Sequence, residues 1–194
     1  MKKLISGIFI LFLMATVGYC QEQTQTFQTV TVVKVIDGDT LKLSSGEIVR
    51  LLGIDCAEDA YTPAEAEYLN VGKKWKRGPD SLKQAKQARG FVKNVVEGKK
   101  VFLEFDVQKK DKYGRLLAYV WYEYPDEKSP LPYMEMQTIE INGVKRGITL
   151  LNVLIIGKGY ASVMTIAPNV KYADLFQQLY LEARENKRGF WARE

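Results

Sequence analysis

The chain has 194 residues, 46% hydrophobic and 26% charged, with a formal net charge of +5; these are the proportions of one globular domain with enough chain to bury a core. It contains no histidine, which excludes a Ser-His-Asp triad, a histidine general base and any hydrolase metal site built on imidazole. Two cysteines, Cys20 and Cys56, are too few for a structural zinc site. Carboxylate chemistry remains, and carboxylates select hard cations such as Ca2+ or Mg2+.

Met1-Lys2-Lys3 is a short basic start, and Leu4 to Val17 is almost wholly apolar. Gly18-Tyr19-Cys20 then places small residues at the −3 and −1 positions of a cleavage site, so residues 1–20 read as a secretory signal peptide. The apolar run is short for a membrane-spanning helix. Cys20 also permits a second reading, a lipidated cysteine, although Tyr19 sits poorly before one. Removal of residues 1–20 takes Lys2 and Lys3 from the 28 basic residues, leaving 26 against 23 acidic ones, a charge of +3. That balance is compatible with a polyanionic partner and is weak support for one. Cys56 would then be the one mature cysteine, with no intramolecular disulfide available. The expected destination is outside the cell or the periplasm.

Residues 21–28 are polar and read as a flexible leader, and a folded domain is expected over 29–192. Val30, Val32, Val33, Val35 and Ile36 are dense β-branched and apolar residues that predict a strand, broken by the turn residues Asp37-Gly38-Asp39. Leu41 and Leu43 alternate with polar neighbours, Ser44-Ser45-Gly46 turns, and 48–52 runs apolar, which predicts a three-strand meander. Residues 59–77 begin as a loop and carry the basic, aromatic cluster Lys73-Lys74-Trp75-Lys76-Arg77. A helix is predicted after Gly78-Pro79-Asp80-Ser81, with Leu82, Ala85, Ala88, Phe91, Val92, Val95 and Val96 on its apolar face and Gly98 closing it. Strands follow over 100–107, with Val101, Leu103 and Phe105 inward, and over 115–124. The stretch from about 123 to 147 reads as an extended loop or hairpin that turns at Asn142-Gly143. An apolar helix is predicted over 148–156. A short extended segment follows over 160–166, then a last helix over about 172–186 with Leu175, Leu179 and Ala183 inward. Five strands with a helix after the third, then trailing helices, indicate α+β and fit a small five-stranded β-barrel of the oligonucleotide-binding type with about three helices. The barrel assignment also draws on the family resemblance that the motifs carry.

Asp37 and Asp39 end one strand; Asp55 and Glu58 follow another. Pairing through the Ser44-Ser45-Gly46 turn returns both ends to one edge of the sheet. Asp-Gly pairs are common at turns, which accounts for Asp37 taken alone but not for carboxylates after the paired strand. Arg50 lies inside the apolar run Ile48 to Ile54, and Arg115 follows a Tyr-Gly turn. Each suits either an ion-paired, snorkelling arginine or a guanidinium aimed at a phosphate. Two planar, permanently charged forks near several carboxylates suit an oxyanion whose charge grows in a transition state.

The motifs "VIDGDT", "RLLGID" with a following glutamate, and "DKYGRLLAYV", in this order, resemble the staphylococcal nuclease family over roughly residues 29–191. The helix "GPDSLKQAKQARGFV" and the C-terminal "RENKRGFW" fit as well. The resemblance implies a secreted Ca2+-dependent phosphodiesterase acting on DNA and RNA. In that family water attacks phosphorus and the 5′ oxygen leaves, giving 3′-phosphate ends. Carried over by position, Asp39 and Asp55 would be the Ca2+ ligands, assisted by the backbone carbonyl of Thr40. Glu58 would orient or deprotonate the attacking water, and Arg50 and Arg115 would grip the scissile phosphate. Lys112 and Tyr113 would contact the neighbouring phosphate, and Asp37 would be an accessory carboxylate. Three departures stand out. Cys56-Ala57 replaces the usual Thr-Pro before the glutamate. Met164-Thr165-Ile166-Ala167 lacks the usual stacking tyrosines, for which Trp75 and Tyr61 are candidate substitutes. The 123–147 stretch is longer than the family's connection. A monomer without an obligate protein partner is expected, with single strands favoured as substrate. The alternative is a catalytically silent nucleic-acid-binding barrel.

Overall fold

The β-branched run of the first strand pairs on both sides, and this double pairing organises the domain. The computed structural model describes residues 27–57, 79–124, 137–141 and 144–193. Residues 1–26, on which the signal-peptide expectation and most of the leader expectation fall, lie outside the described residues, as do Glu58, Tyr61, Trp75 and the middle of the 123–147 stretch. Strand β1 (Gln28–Asp37) meets β2 (Thr40–Leu43), which turns into β3 (Ile48–Leu51), followed by the short β4 (Gly53–Asp55). Helix α1 spans Pro79–Val96 and leads to β5 (Lys100–Glu104) and β6 (Leu116–Glu123). A hairpin of β7 (Gln137–Ile141) and β8 (Val144–Leu150) follows. Next come α2 (Leu151–Gly157), β9 (Ser162–Met164), α3 (Ala173–Glu185) and a 3-10 turn, Gly189–Arg193.

The strand order is β3-β2-β1-β5-β6-β8-β7, and a further pairing of β3 with β6 closes the first five strands into a barrel. That closure is parallel, with Val49 opposite Leu116 and Leu51 opposite Ala118. It leaves neither of these two edges open within the barrel, the standard solution to the unpaired-edge problem. The expected α+β barrel with three helices is therefore present. Strand β1 starts at Gln28, and Phe27 packs edge-on against Trp121 and Phe102.

The core is filled from the barrel strands, α1, α2 and α3. Ala85, Ala88, Val92 and Val96 put one face of α1 against it. Two expectations are corrected. Strand β8 runs through Leu150, so Ile148 to Leu150 pair with β6 and are not helical; α2 starts only at Leu151. All seven residues of α2 are buried, and a short run buried on every side has no periodicity that separates strand from helix. On α3 the inward residues are Phe176, Leu179 and Ala183, and Leu175 is exposed. Val33 is also exposed, because β1 has a register irregularity between Val32 and Lys34.

Candidate active site

Strand alternation and one tight turn assemble the first half of the site. Thr40 is opposite Arg50 in the β2–β3 pairing, and the Leu51 N–H donates to the Asp39 carbonyl at 2.8 Å. This register places the Asp37-Gly38-Asp39 turn beside the end of β3. The turn is pressed down on its neighbours: a Cβ at Gly38 would lie 2.8 Å from Cys56 Sγ and 2.9 Å from Ala88 Cβ. Only glycine lets the chain approach α1 this closely.

Asp39 is buried and engaged at both oxygens. Its Oδ1 accepts the Thr40 hydroxyl at 2.9 Å, and its Oδ2 accepts the Cys56 N–H at 2.7 Å and ion-pairs with Arg50 Nη1. Arg50 Nη2 donates to Asp55 Oδ1 at 2.9 Å. The Arg50 side chain is 12% exposed and the Asp55 side chain 46%, so the guanidinium sits below the rim while one carboxylate faces outward. Asp55 is held from behind by β4–β9 pairing opposite Ser162, whose hydroxyl donates to the Asp55 carbonyl at 3.2 Å. Asp37 is fully buried, with Oδ1 accepting the Gly38 N–H at 2.8 Å. Burial, and then the Asp37 charge, push the Cys56 thiol far up from its ordinary range.

The second half of the site is the turn before β6. Asp111 Oδ1 accepts the Tyr113 N–H at 2.9 Å and the Arg115 N–H at 3.0 Å, while its Oδ2 accepts Arg115 Nε at 2.7 Å. One carboxylate thus shapes the turn and aims the arginine. Lys112 Nζ and the Arg115 guanidinium lie 5.0 and 5.6 Å from the centre of the half-exposed Tyr113 ring. The parallel β3–β6 register sets Leu117 opposite Arg50, so Arg115, in the turn just before β6, lies about 8 Å from Arg50 between Cα atoms from the strand rise and spacing.

The structure therefore brings Asp39, Thr40, Arg50 and Asp55 into direct contact. Arg115, Lys112 and Tyr113 lie together on the adjoining turn, where Arg115 pairs with Asp111 and not with Asp39 or Asp55. Glu58 lies outside the described residues. Asp111 was missed as an orienting group, although its four-residue spacing to Arg115 across a Tyr-Gly turn was visible. The Cys56 N–H was missed as well, since a backbone donor leaves no mark in side-chain identity. Asn169 is a third: its amide brackets Gln108, accepting from the N–H at 2.8 Å and donating to the carbonyl at 2.9 Å. It thereby ties the loop before β6 to the entry of α3.

Among the described residues no group of three or more His, Cys, Asp or Glu could hold a metal ion. Asp39 and Asp55 nevertheless converge on one cationic group, the Arg50 guanidinium. Two hard oxygen donors facing a common cation fit a hard divalent ion whose remaining ligands are water and substrate.

A family profile described as "Staphylococcal nuclease homologue" matches residues 48–193. The chain is 27% identical to a protein named thermonuclease from Staphylococcus hyicus over 209 residues, covering 99% of each. It is 29% identical to a thermonuclease from Staphylococcus intermedius over 209 residues, covering 100% of each. It is also 30% identical over 170 residues to the endonuclease YncB of Bacillus subtilis, covering 84% of this chain and 62% of that protein.

Proposed function

This chain belongs to the staphylococcal nuclease family, and we propose that it is an exported, calcium-dependent endonuclease that hydrolyses phosphodiester bonds of DNA and RNA to 3′-phosphate ends. The nuclease names of its relatives support the coarse reading, a hydrolase acting on nucleic acid. The observation that supports a cation and a phosphate at this site is the bridge of Arg50 between Asp39 and Asp55. One buried guanidinium between carboxylates from two separate segments is a site for a cation and an oxyanion side by side.

In this reading Asp39 and Asp55, with the Thr40 carbonyl, would hold Ca2+. A bound Ca2+ would neutralise the two carboxylates and stabilise charge on a phosphate oxygen, leaving the Arg50 fork for the same phosphate. Arg50 and Arg115 present rigid N–H donors to the phosphate oxygens as charge builds on them. Asp111 holds Arg115 in place from behind. Lys112 and the exposed Tyr113 contact the next phosphate of the strand. Glu58 accepts a proton from, or orients, the attacking water. With two protein carboxylates, Ca2+ affinity falls on the order of 10⁻⁴–10⁻³ M, sufficient outside a cell.

The test is cleavage of single-stranded DNA by wild type, Glu58→Gln and Arg50→Ala, each with Ca2+, Mg2+ or a chelator. Wild type cuts in millimolar Ca2+ and stops in chelator. Glu58→Gln loses on the order of 10²–10⁴-fold, and Arg50→Ala on the order of 10²–10³-fold, with both variants folded by circular dichroism. Activity that survives chelation overturns the metal assignment, and unchanged rates in both variants overturn the residue roles. Salt-sensitive binding without cleavage by wild type identifies a silent binding barrel instead. Export is checked by mass spectrometry of the mature N-terminus.

A further inference from the structure

Strand β6 starts at Arg115's turn and ends at a second feature that the nuclease reading does not use. There the start of β5, the end of β6 and β8 surround an open cleft of about 620 Å3, lined by Lys99, Lys100, Tyr122, Glu123, Tyr124 and Arg146. Among the described residues, three cations against one carboxylate leave two positive charges over. The carboxylate is already satisfied, since Arg146 Nη1 donates to Glu123 Oε2 at 2.8 Å. Lys99 and Lys100 are exposed, in a β1–β5 register with Lys100 opposite Thr31. Tyr122 is buried, 3% exposed, and its hydroxyl has no hydrogen-bond partner among the described residues. A buried unpaired hydroxyl is uncommon enough to call for a ligand or a functional reason. Burial pushes the Tyr122 phenol up, so it is a hydrogen-bond donor at neutral pH. Tyr124 packs edge-on against it, ring centres 6.1 Å apart, and is only partly covered.

We propose that this cleft is a second subsite for the substrate strand, taking a backbone phosphate on Lys99, Lys100 and the Tyr122 hydroxyl with the adjoining base against Tyr124. Ammonium groups and a phenol O–H match phosphate oxygens, and an aromatic face accepts any base, the usual pairing in single-strand recognition. A purely acidic peptide would use the lysines and leave the aromatic face idle. The inference rests on the nuclease reading for the identity of the strand. From Arg115 to Tyr122 is seven residues, at most about 23 Å at the rise of a strand. A stacked nucleic-acid strand covers that with about seven nucleotides. A trinucleotide bound at Arg50 and Arg115 cannot reach the cleft, and a strand of about fifteen nucleotides can.

The test compares the full protein with Lys99→Ala/Lys100→Ala and with Tyr122→Phe. A charge-matched control is Lys83→Ala/Lys86→Ala, on exposed positions of α1. For the double cleft variant, the ratio of KM on the fifteen-nucleotide strand to KM on the trinucleotide rises on the order of fivefold. The salt slope of long-strand binding falls by about one to two. Tyr122→Phe weakens long-strand binding while its melting temperature stays equal or rises, the signature of a hydroxyl kept for a ligand. The control moves neither ratio nor slope. Equal losses on both lengths, an equal loss in the control, or equal competition by oligoglutamate overturns the subsite. If wild type cuts neither substrate, the nuclease reading fails. Fluorescence anisotropy of the fifteen-nucleotide strand then decides the subsite alone: binding that needs Lys99 and Lys100 supports it, and binding indifferent to them overturns it.

Discussion

Cys56 supports the site through its backbone as well as its side chain. It stands in the lead-in to Glu58, at one of the two positions where Cys56-Ala57 replaces the family's usual Thr-Pro. In the folded chain its side chain is buried against the Gly38 turn and its N–H holds Asp39 at 2.7 Å, so up to this residue the lead-in is anchored to the site. Burial and the Asp37 charge also keep its thiol protonated, and a protonated, buried thiol is a poor nucleophile. Iodoacetamide at pH 8 should leave Cys56 unmodified in the native protein and alkylate it fully in denaturant, read by peptide mass mapping. Native labelling at the denatured rate would refute this burial. The residue types at Asp39, Arg50 and Asp55 were legible from charge and turn position. What was not legible is that Arg50 holds both carboxylates at once, because three side chains on three segments meet only when the register is set.

At the scale of elements, the junction of β1 with α1 depends on a carboxylate standing in for a strand. β1 pairs with β5 only from Gln28 to Thr31. Beyond that, the Val32 N–H donates to the Lys99 carbonyl at 3.0 Å and the Val35 N–H donates to Glu97 Oε2 at 2.9 Å. The bond from Val35 and the neighbouring Lys93 hold the Glu97 carboxyl below its ordinary value. A carboxyl depressed in the folded state contributes stability above its unfolded pKa, and that contribution is lost as pH falls through the folded one. Urea midpoints of wild type should therefore exceed those of Glu97→Gln at pH 7, with the gap closing below about pH 4.3. A gap independent of pH would show that the charge is not involved. Helix α1 was readable from its three- and four-residue spacing and its Gly98 stop. The handover of β1 to Glu97 was not, since a lone glutamate at a helix end looks like any solvated one. The same limit explains α3, where Leu175 and Phe176 are adjacent apolar residues and only packing decides which one turns inward.

For the whole molecule, the decisive contacts are those that close the barrel and hang the last helices on it. Asn152 is fully buried; its Nδ2 donates to the Leu52 carbonyl at 2.8 Å and its Oδ1 accepts the Val120 N–H at 3.1 Å. It clamps the end of β3 to β6 from the first turn of α2, just past the parallel pairing. Asn152→Ala leaves two buried backbone groups unpaired, for a loss of roughly 2–4 kcal/mol, seen as a lower urea midpoint with an unchanged m-value. A loss under about 0.5 kcal/mol, the range of neutral surface changes, would show that the clamp is dispensable. Glu104 plays a similar part on the other side. Buried at 3% exposure, it accepts Trp121 Nε1 at 2.7 Å and the Tyr172 hydroxyl at 3.0 Å, and it pairs with Lys171. By itself the sequence determined the alternating strands, the glycine and Asp-Gly turns, the α1 face, the family and the list of carboxylates and arginines. These follow from periods of two and 3.6 and from residues whose backbone preferences are local. Tertiary structure alone decided that β3 lies parallel to β6, that Ile148 to Leu150 extend the sheet, and that the β7–β8 hairpin helps to frame a second basic cleft. It also decided that Arg50 stands between Asp39 and Asp55. The closing partners are 67 residues apart in the chain, and nothing within a few residues of Val49 or Leu116 favours one over any other apolar edge. Only the requirement to bury all the barrel's faces and satisfy both edges together selects that pairing.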